Sequence, residues 1–285
     1  MNLPKTVTIT EVSPRDGLQN EKKFIPTEIK IQFIELLAQA GFPIIEATAF
    51  VNPKKIPMLA DHAEVFQKIT PHKNIIYSAL IPNEQGLLNA IACGCEHITV
   101  ITATSETFAQ KNMNCSIDES LQRIEAILKI TKAKNIFVRA DISCTLGCPY
   151  EGFIAPEITA NIAKKLFDMG CDEIAVADTI GTGTPLKAQA LIQAVKKYVP
   201  IEKIAIHFHD TYGQAIANIF ACLQLGISKI DSSIGGIGGC PYAKGATGNV
   251  ATESVLYLLN ELNIETGIDL DKAKKAREFI RKFLS

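Results

Sequence analysis

Ile204-Ala205-Ile206-His207-Phe208-His209-Asp210 is the stretch on which the reading of this 285-residue chain turns. Its first three residues form a short apolar run, which reads as a buried strand. Side chains alternate along a strand, so residues 207 and 209 point the same way from its end. Two imidazoles on one face make half of a metal site, because a neutral ring nitrogen is a ready ligand for a divalent ion. A bare His-x-His is also common in ordinary polar loops. What sets this pair apart is a second charged cluster, Arg15-Asp16-Gly17, at the end of the first strand.

Short, β-branched or apolar runs fall at 7–12, 43–48, 74–79, 97–101, 136–142, 173–177, 203–208 and 229–231, which predicts eight strands. Helical patterns lie between them. The one over 28–40 carries Ile29, Phe33, Leu36, Leu37 and Ala40 on one face, and Gly41 stops it. Ser116 and Glu119 form a capping box for a helix over 117–133, which carries Leu121, Ile124 and Leu128. A helix over 157–169 follows Pro156 and ends at Gly170; another over 214–225 ends at Gly226. No linker-like or low-complexity stretch divides the chain. Eight strand–helix units without a break favour a closed (β/α)8 TIM barrel over a doubly wound sheet. Such a barrel typically needs about 250 residues. The chain is therefore expected to be one catalytic domain over 1–285, with the barrel at about 7–262 and a polar amphipathic C-terminal helix at about 263–285.

The bulk composition excludes several classes. Apolar residues make up 47% of the chain, enough for a sizeable core, and the formal net charge is −1. There is no basic field for nucleic acid or for a membrane surface, so an anionic substrate must be held by local positive groups. The start, MNLPKTVTIT, has neither an apolar signal core nor an Arg-rich transit pattern. A cytoplasmic location is expected. The eight cysteines are scattered. Cys93-Gly94-Cys95 and the Cys144/Cys148 pair lack the spacing of a zinc knuckle, so structural thiols are expected rather than a disulfide framework.

In a TIM barrel the chemistry comes from the C-terminal strand ends. Strand 1 runs into Arg15 and Asp16, strand 2 into Glu46, strand 6 into Asp178, and strand 7 into His207 and His209. Strand 8 runs into a loop of four glycines that carries Cys240. Asp16, His207 and His209 supply one oxygen and two nitrogens, a mixed set that leaves open positions for a catalytic divalent ion. Mg²⁺ or Mn²⁺ suits it, and Zn²⁺ is chemically allowed. Asn249 can add an amide oxygen, although its position before Thr252-Glu253 also fits a helix N-cap. Arg15 is a fixed cation beside this set. It is either an oxyanion stabiliser or the partner of Glu46 or Asp178 in a structural salt bridge, and the two roles are compatible. Cys240 on a glycine loop can serve as a proton donor or nucleophile, or be a small buried apolar residue.

Several segments together carry a family resemblance. Glu11-Val-Ser-Pro-Arg15-Asp16-Gly-Leu-Gln19-Asn-Glu21, Glu46-Ala-Thr-Ala-Phe50, Cys144-Thr-Leu-Gly-Cys148-Pro-Tyr-Glu-Gly152, Asp178-Thr179-Ile-Gly181, His207-Phe-His209-Asp-Thr-Tyr-Gly-Gln214 and Gly235-Gly-Ile-Gly-Gly-Cys240-Pro-Tyr242 resemble 3-hydroxy-3-methylglutaryl-CoA lyases from about residue 7 to 268. The resemblance implies cleavage of that CoA ester to acetyl-CoA and acetoacetate, a metal-assisted retro-Claisen step of leucine degradation and ketone-body formation. It implies Mg²⁺ or Mn²⁺ held by Asp16, His207, His209 and Asn249. Arg15 is implied to stabilise the thioester enolate and Cys240 to protonate it. Glu46 and Asp178 would orient Arg15 and the substrate, and His207 or Asp16 stands near the hydroxyl proton. Arg15, Gln19, Lys22 and Thr179 are the implied substrate contacts. Lys22, Lys23, Lys111 and Asn112 are candidates for the CoA phosphates. Homodimers are the rule in the family.

Three departures stand out. Ala49 occupies a position where serine is usual, so a polar substrate contact is expected to be missing. Ala177 stands for a common glycine, and the loop reads Ser233-Ile-Gly-Gly-Ile-Gly-Gly239 for Ser-Val-Ala-Gly-Leu-Gly-Gly. Ala49 keeps open a lyase acting on another branched 3-hydroxyglutaryl-CoA. A Claisen synthase usually carries extra C-terminal domains, for which the chain leaves no room. A metal-dependent hydrolase would place the His-x-His on its first strand. A non-catalytic barrel would require the clustering at strand ends to be accidental.

Overall fold

Eight parallel strands close into a barrel in sequence order. They are β1 (Thr8–Glu11), β2 (Ile44–Ala49), β3 (Ile76–Leu80), β4 (His97–Ala103), β5 (Phe137–Ser143), β6 (Glu173–Asp178), β7 (Ile204–Phe208) and β8 (Lys229–Ser232). The computed structural model describes residues 3–239 and 248–284. Every strand expected from the sequence is present. β1 and β8 complete the ring through Thr8 to Glu11 paired with Lys229 to Ser232.

Helices wrap the outside: α1 (Thr27–Gln39), α2 (His62–Lys68), α3 (Glu84–Ala92), α4 (Glu106–Met113), α5 (Ile117–Lys132), α6 (Pro156–Met169), α7 (Pro185–Val195), α8 (Ala215–Leu223), α9 (Thr252–Glu261) and α10 (Leu270–Arg281). The capping box at α5 is present: Ser116 Oγ accepts from the Glu119 amide at 3.0 Å, and the Glu119 carboxylate accepts from the Ser116 amide at 2.7 Å. α6 starts on Pro156 and ends on Gly170 at φ 106°, a left-handed position that glycine adopts without penalty. The α1 face is shifted from the expected one: Phe33, Ile34, Leu37 and Ala38 are buried, and Ile29 and Leu36 are half-buried. Lys30 is buried there, because its ammonium group reaches the Met58 carbonyl and, at 2.7 Å, the Asp61 carboxylate.

The C-terminal helix is shorter than expected. Residues 263–269 are not part of it, because this segment runs alongside the start of β1: Val7 N–H donates to the Glu265 carbonyl at 2.9 Å and Glu265 N–H to the Lys5 carbonyl at 3.0 Å. Asp269 then caps α10 with its side chain, and its own amide donates to the Ala40 carbonyl at 2.8 Å, docking α10 beside α1.

The strands are buried on both faces, as in a parallel barrel covered by helices. In β5, Val138, Ala140 and Ile142 face the helix layer and join the main apolar core. Arg139, Asp141 and Ser143 alternate with them and therefore face the barrel axis. The axis is not filled solid. A layer of charged side chains that includes Glu46, Arg139 and Asp231 crosses it. A cavity of about 260 Å³ lies toward the N-terminal strand ends, where Thr8, Thr10, Ser78 and Thr99 are small. A larger cavity of about 370 Å³ opens at the C-terminal ends.

Candidate active site

The cysteines enter this site only at its edge. No disulfide joins any cysteine among the described residues, and the Cys148 thiol donates to Ser105 Oγ at 3.0 Å. Cys240 lies outside the described residues.

Between β1 and α1 the chain makes one π-helical turn, Ser13–Gly17, that turns Arg15 and Asp16 toward the barrel axis. The Arg15 guanidinium is 7% exposed and is pinned from two sides: Nε donates to Glu46 Oε2 at 2.5 Å and Nη1 to Asp16 Oδ1 at 2.5 Å. Burial alone would lower its pKa, but Glu46 and Asp16 raise it above the ordinary arginine value, so the charge is permanent. Burial raises the Glu46 carboxyl above its usual range even with Arg15 beside it.

His207 and His209 close the other side. Their Nε2 atoms face each other at 3.3 Å, and Asp16 Oδ2 lies 3.9 Å from His207 Nε2. His207 Nδ1 is 3.1 Å from Asp231 Oδ2. An Nδ1–H donated to that carboxylate leaves the Nε2 lone pair aimed at Asp16 and His209. Burial would lower His207, yet Asp231 raises it. Burial and the neighbouring His207 hold His209 down at about 4, so it is a neutral ligand at ordinary pH. Burial would also raise Asp16, but Arg15 and the two imidazoles hold its carboxyl well below the usual range. Ligand atoms of Asp16, His207 and His209 all lie within 4.8 Å of one another. Two imidazole lone pairs that meet at this distance repel unless a cation or a proton sits between them, so the arrangement fits a divalent metal ion.

Asn249 is not a helix cap. α9 begins after Ala251, and Asn249 pairs with His209 in an isolated bridge. Its Nδ2 donates to Asp16 Oδ2 at 2.7 Å, which places the side chain against the proposed ligand set.

Asp178 departs from expectation. Arg15 bonds to Glu46 and Asp16. The Asp178 carboxylate instead accepts from Thr182 N at 3.1 Å and Gly183 N at 2.8 Å, bracing the loop that follows β6. Burial pushes it up to about 6 against those amides. Thr179, on the same loop, does line the larger cavity, as does Gln19. Lys22 and Lys23 are exposed and do not line it, and Lys111 stacks over the Tyr150 ring at 4.0 Å. Among the described residues, the lysines and arginines that line it are Arg15, Lys55 and Arg123, with Asn112 beside them. Ala49 is fully buried against Leu59 and Leu80, and of these three Leu80 lines the larger cavity.

Four inward-facing residues, Arg139, Asp141, Glu173 and Asp231, escape a reading confined to strand ends. Asp231 in mid-β8 is paired in register with His207. Arg139 grips it through both terminal nitrogens, Nη1 to Oδ1 at 2.9 Å and Nη2 to Oδ2, and donates Nε to Asp141 Oδ1 at 2.8 Å. Glu173 completes the set, taking Lys229 Nζ at 2.5 Å. The signal was present in the sequence: a charged residue inside a short apolar strand of a closed barrel must face the axis, where only a charged partner can satisfy it.

Residues 6–280 match the family model described as HMGL-like. The chain is 51% identical over 283 residues to the mouse protein named hydroxymethylglutaryl-CoA lyase, mitochondrial, covering 99% of this chain and 87% of that one. It is 50% identical over 280 residues to the rat 3-hydroxy-3-methylglutaryl-CoA lyase, cytoplasmic, covering 98% and 82%. The crystal structure of hydroxymethylglutaryl-CoA lyase from Pseudomonas aeruginosa superposes with a TM-score of 0.97 at 49% identity, covering 99% of this chain and 94% of that one. In sequence and in backbone alike, the chain belongs to the HMGL-like family.

Proposed function

We propose that the protein cleaves 3-hydroxy-3-methylglutaryl-CoA to acetyl-CoA and acetoacetate. The observation that carries this reading is identity of about half, over nearly the whole chain, to hydroxymethylglutaryl-CoA lyases. The geometry supports it. The substrate lies in the 370 Å³ cavity with its reacting end against Arg15. Asp16, His207 and His209, with Asn249 beside them, would hold Mg²⁺ or Mn²⁺, and the bound ion would supply Lewis acidity toward oxygens of the substrate. Arg15 faces the oxygen on which enolate charge develops, and Glu46 and Asp16 fix its fork in advance, so no reorganisation is needed during the reaction. Asp231 fixes the His207 tautomer. Asp178 and Thr179 shape the loop at the cavity wall. Protonation of the enolate carbon is the part assigned to Cys240. Lys55 and Arg123 are the groups suited to the CoA phosphates, in place of Lys22 and Lys23.

The barrel and its C-terminal helix act as one catalytic unit in this reading, and two chains pair as a homodimer, which sedimentation would test. A cytoplasmic setting agrees with thiols not joined in disulfides among the described residues. No helix among the described residues is long and apolar enough to cross a membrane.

The test is acetoacetate release from the CoA ester by metal-stripped protein with and without added Mg²⁺. Cleavage that depends on the metal supports the reading. A folded, metal-loaded sample that leaves the ester intact overturns it.

A further inference from the structure

We propose that Arg139, on β5, is a positioning residue for the ligand set: by gripping Asp231 across the barrel axis it fixes the imidazole of His207. The inference deepens the proposed function and rests on Asp16, His207 and His209 being the metal ligands.

Backbone register brings Asp231 beside His207, because the two residues are paired between β8 and β7. Register does not set the plane of the carboxylate. The last torsion of an aspartate is broad, so a carboxylate held only through its backbone is free to turn. The Arg139 fork removes that freedom. Nη1 donates to Asp231 Oδ1 at 2.9 Å, and Nη2 donates to Oδ2. Two parallel bonds from a planar guanidinium fix both the place and the tilt of a carboxylate. Oδ2 is then the atom that meets His207 Nδ1, at 3.1 Å. With Nδ1 held in this way, the ring turns Nε2 toward Asp16 and His209.

The guanidinium is itself held. Burial opposes its charge, and of the carboxylates that support it Asp141 is the strongest. Asp141 accepts a single bond, from Nε at 2.8 Å, and anchors that end of the plane. Glu173 lies 3.4 Å from Nη1 and has a second cation in Lys229, at 2.5 Å. Only Asp231 takes bonds from both terminal nitrogens. Neutralising a buried acid needs a cation, which a lysine also supplies. Orienting it needs the fork, and orientation is what reaches His207.

The test is Mn²⁺ binding by calorimetry to the parent, Arg139→Lys, Asp231→Asn and the double variant, each checked for folding by a melt in chelator. Arg139→Lys keeps the charge, so a change in affinity reports lost orientation. It is expected to weaken binding about 10-fold. In the Asp231→Asn background the same change is expected to cost less than about threefold, since effects along one chain of contacts do not add. A lysine variant that binds as tightly as the parent, at whatever melting temperature, overturns the proposal and leaves Arg139 as a core ion pair. An equal loss in both backgrounds overturns it too. Arg139→Gln gives an independent sign. Charge alone predicts tighter Mn²⁺ binding once a buried cation is removed, whereas lost orientation predicts weaker binding, so tighter binding also overturns the proposal. If the parent itself binds no Mn²⁺, the ligand-set reading fails, and the role of Arg139 falls with it.

Discussion

Arg15 shows why residue chemistry, and not charge alone, sets this site. A guanidinium can donate to Glu46 and Asp16 from different nitrogens and still present an edge to the cavity, whereas an ammonium is a point charge with no fixed plane. Arg15→Lys is expected to fold normally and to lose about 100- to 1,000-fold in kcat, the usual scale for removing one oxyanion donor. Steady-state kinetics beside a thermal melt would show this, and near-parental turnover would remove Arg15 from the enolate. Asp231 acts one step further out. Asp231→Asn leaves an acceptor for Arg139 but weakens the hold on the Nδ1 proton of His207, so Mn²⁺ affinity should drop about 10- to 100-fold. Calorimetry with unchanged affinity would mean that the tautomer is set by something other than this carboxylate.

Among the elements, the turn after β1 and the loop after β8 are tied together by one buried acid, Glu11. Its Oε1 accepts from Ser13 N at 3.0 Å and from Ile234 N at 3.0 Å, and its Oε2 from Thr252 Oγ1 at 2.7 Å. Burial outweighs these bonds and raises its pKa from 4.5 to about 7. Because the folded value lies above the unfolded one, the folded state binds the extra proton between these pH values. Its contribution to stability is thus complete below about 4.5 and is lost as pH rises through about 7. The size is about 3 kcal/mol at most, from 1.36 kcal/mol per pH unit. Glu11→Gln should lack this component, so the gap between parent and variant in urea unfolding should change between pH 4.5 and 7.5. A constant gap would show that Glu11 does not titrate there.

The elements were largely legible, and the reason is physical. A strand covered on both faces in a closed barrel must be a short apolar run, and β7 announces itself through Ile204, Ala205 and Ile206. Caps were equally readable where a side chain supplies them, as Ser116 and Glu119 do for α5. The ligand triad could be read because its members sit where apolar runs end. What could not be read was partner choice across the barrel. Glu46 and Asp178 look alike in sequence, each an acid after a short apolar run, yet Glu46 lies inside β2 and meets Arg15 whereas Asp178 ends β6 and meets amides of its own loop. Residues 263–269 depart from the expected helix for a related reason: backbone partners distant in sequence, Val7 and Lys5, override the local helical pattern.

For the whole molecule, the ligand set lies at the seam that closes the barrel. Asp16 follows the first strand, His207 and His209 end the seventh, and the seventh strand pairs with the eighth, which pairs back to the first. An ion bound there ties the start of the chain to its end. The unfolded chain holds these side chains far apart and cannot reproduce the set, so binding energy becomes folding energy. At Mn²⁺ concentrations about 100 times the dissociation constant the gain is about 2.7 kcal/mol. For a domain of this size each kcal/mol moves the melting temperature by about 2–4 °C. The parent should therefore melt at least about 5 °C higher with saturating Mn²⁺ than with chelator. His209→Ala should melt close to the parent in chelator, since the ring packs against His207 and leaves Nδ1 without a hydrogen bond among the described residues. Its melting temperature should respond little to Mn²⁺ over the same range. A variant that keeps the full metal-dependent rise would place the ion somewhere other than the seam. A parent that shows no rise at concentrations where calorimetry shows binding would mean that the ion binds the unfolded chain equally well, and the link between the site and barrel closure would fail.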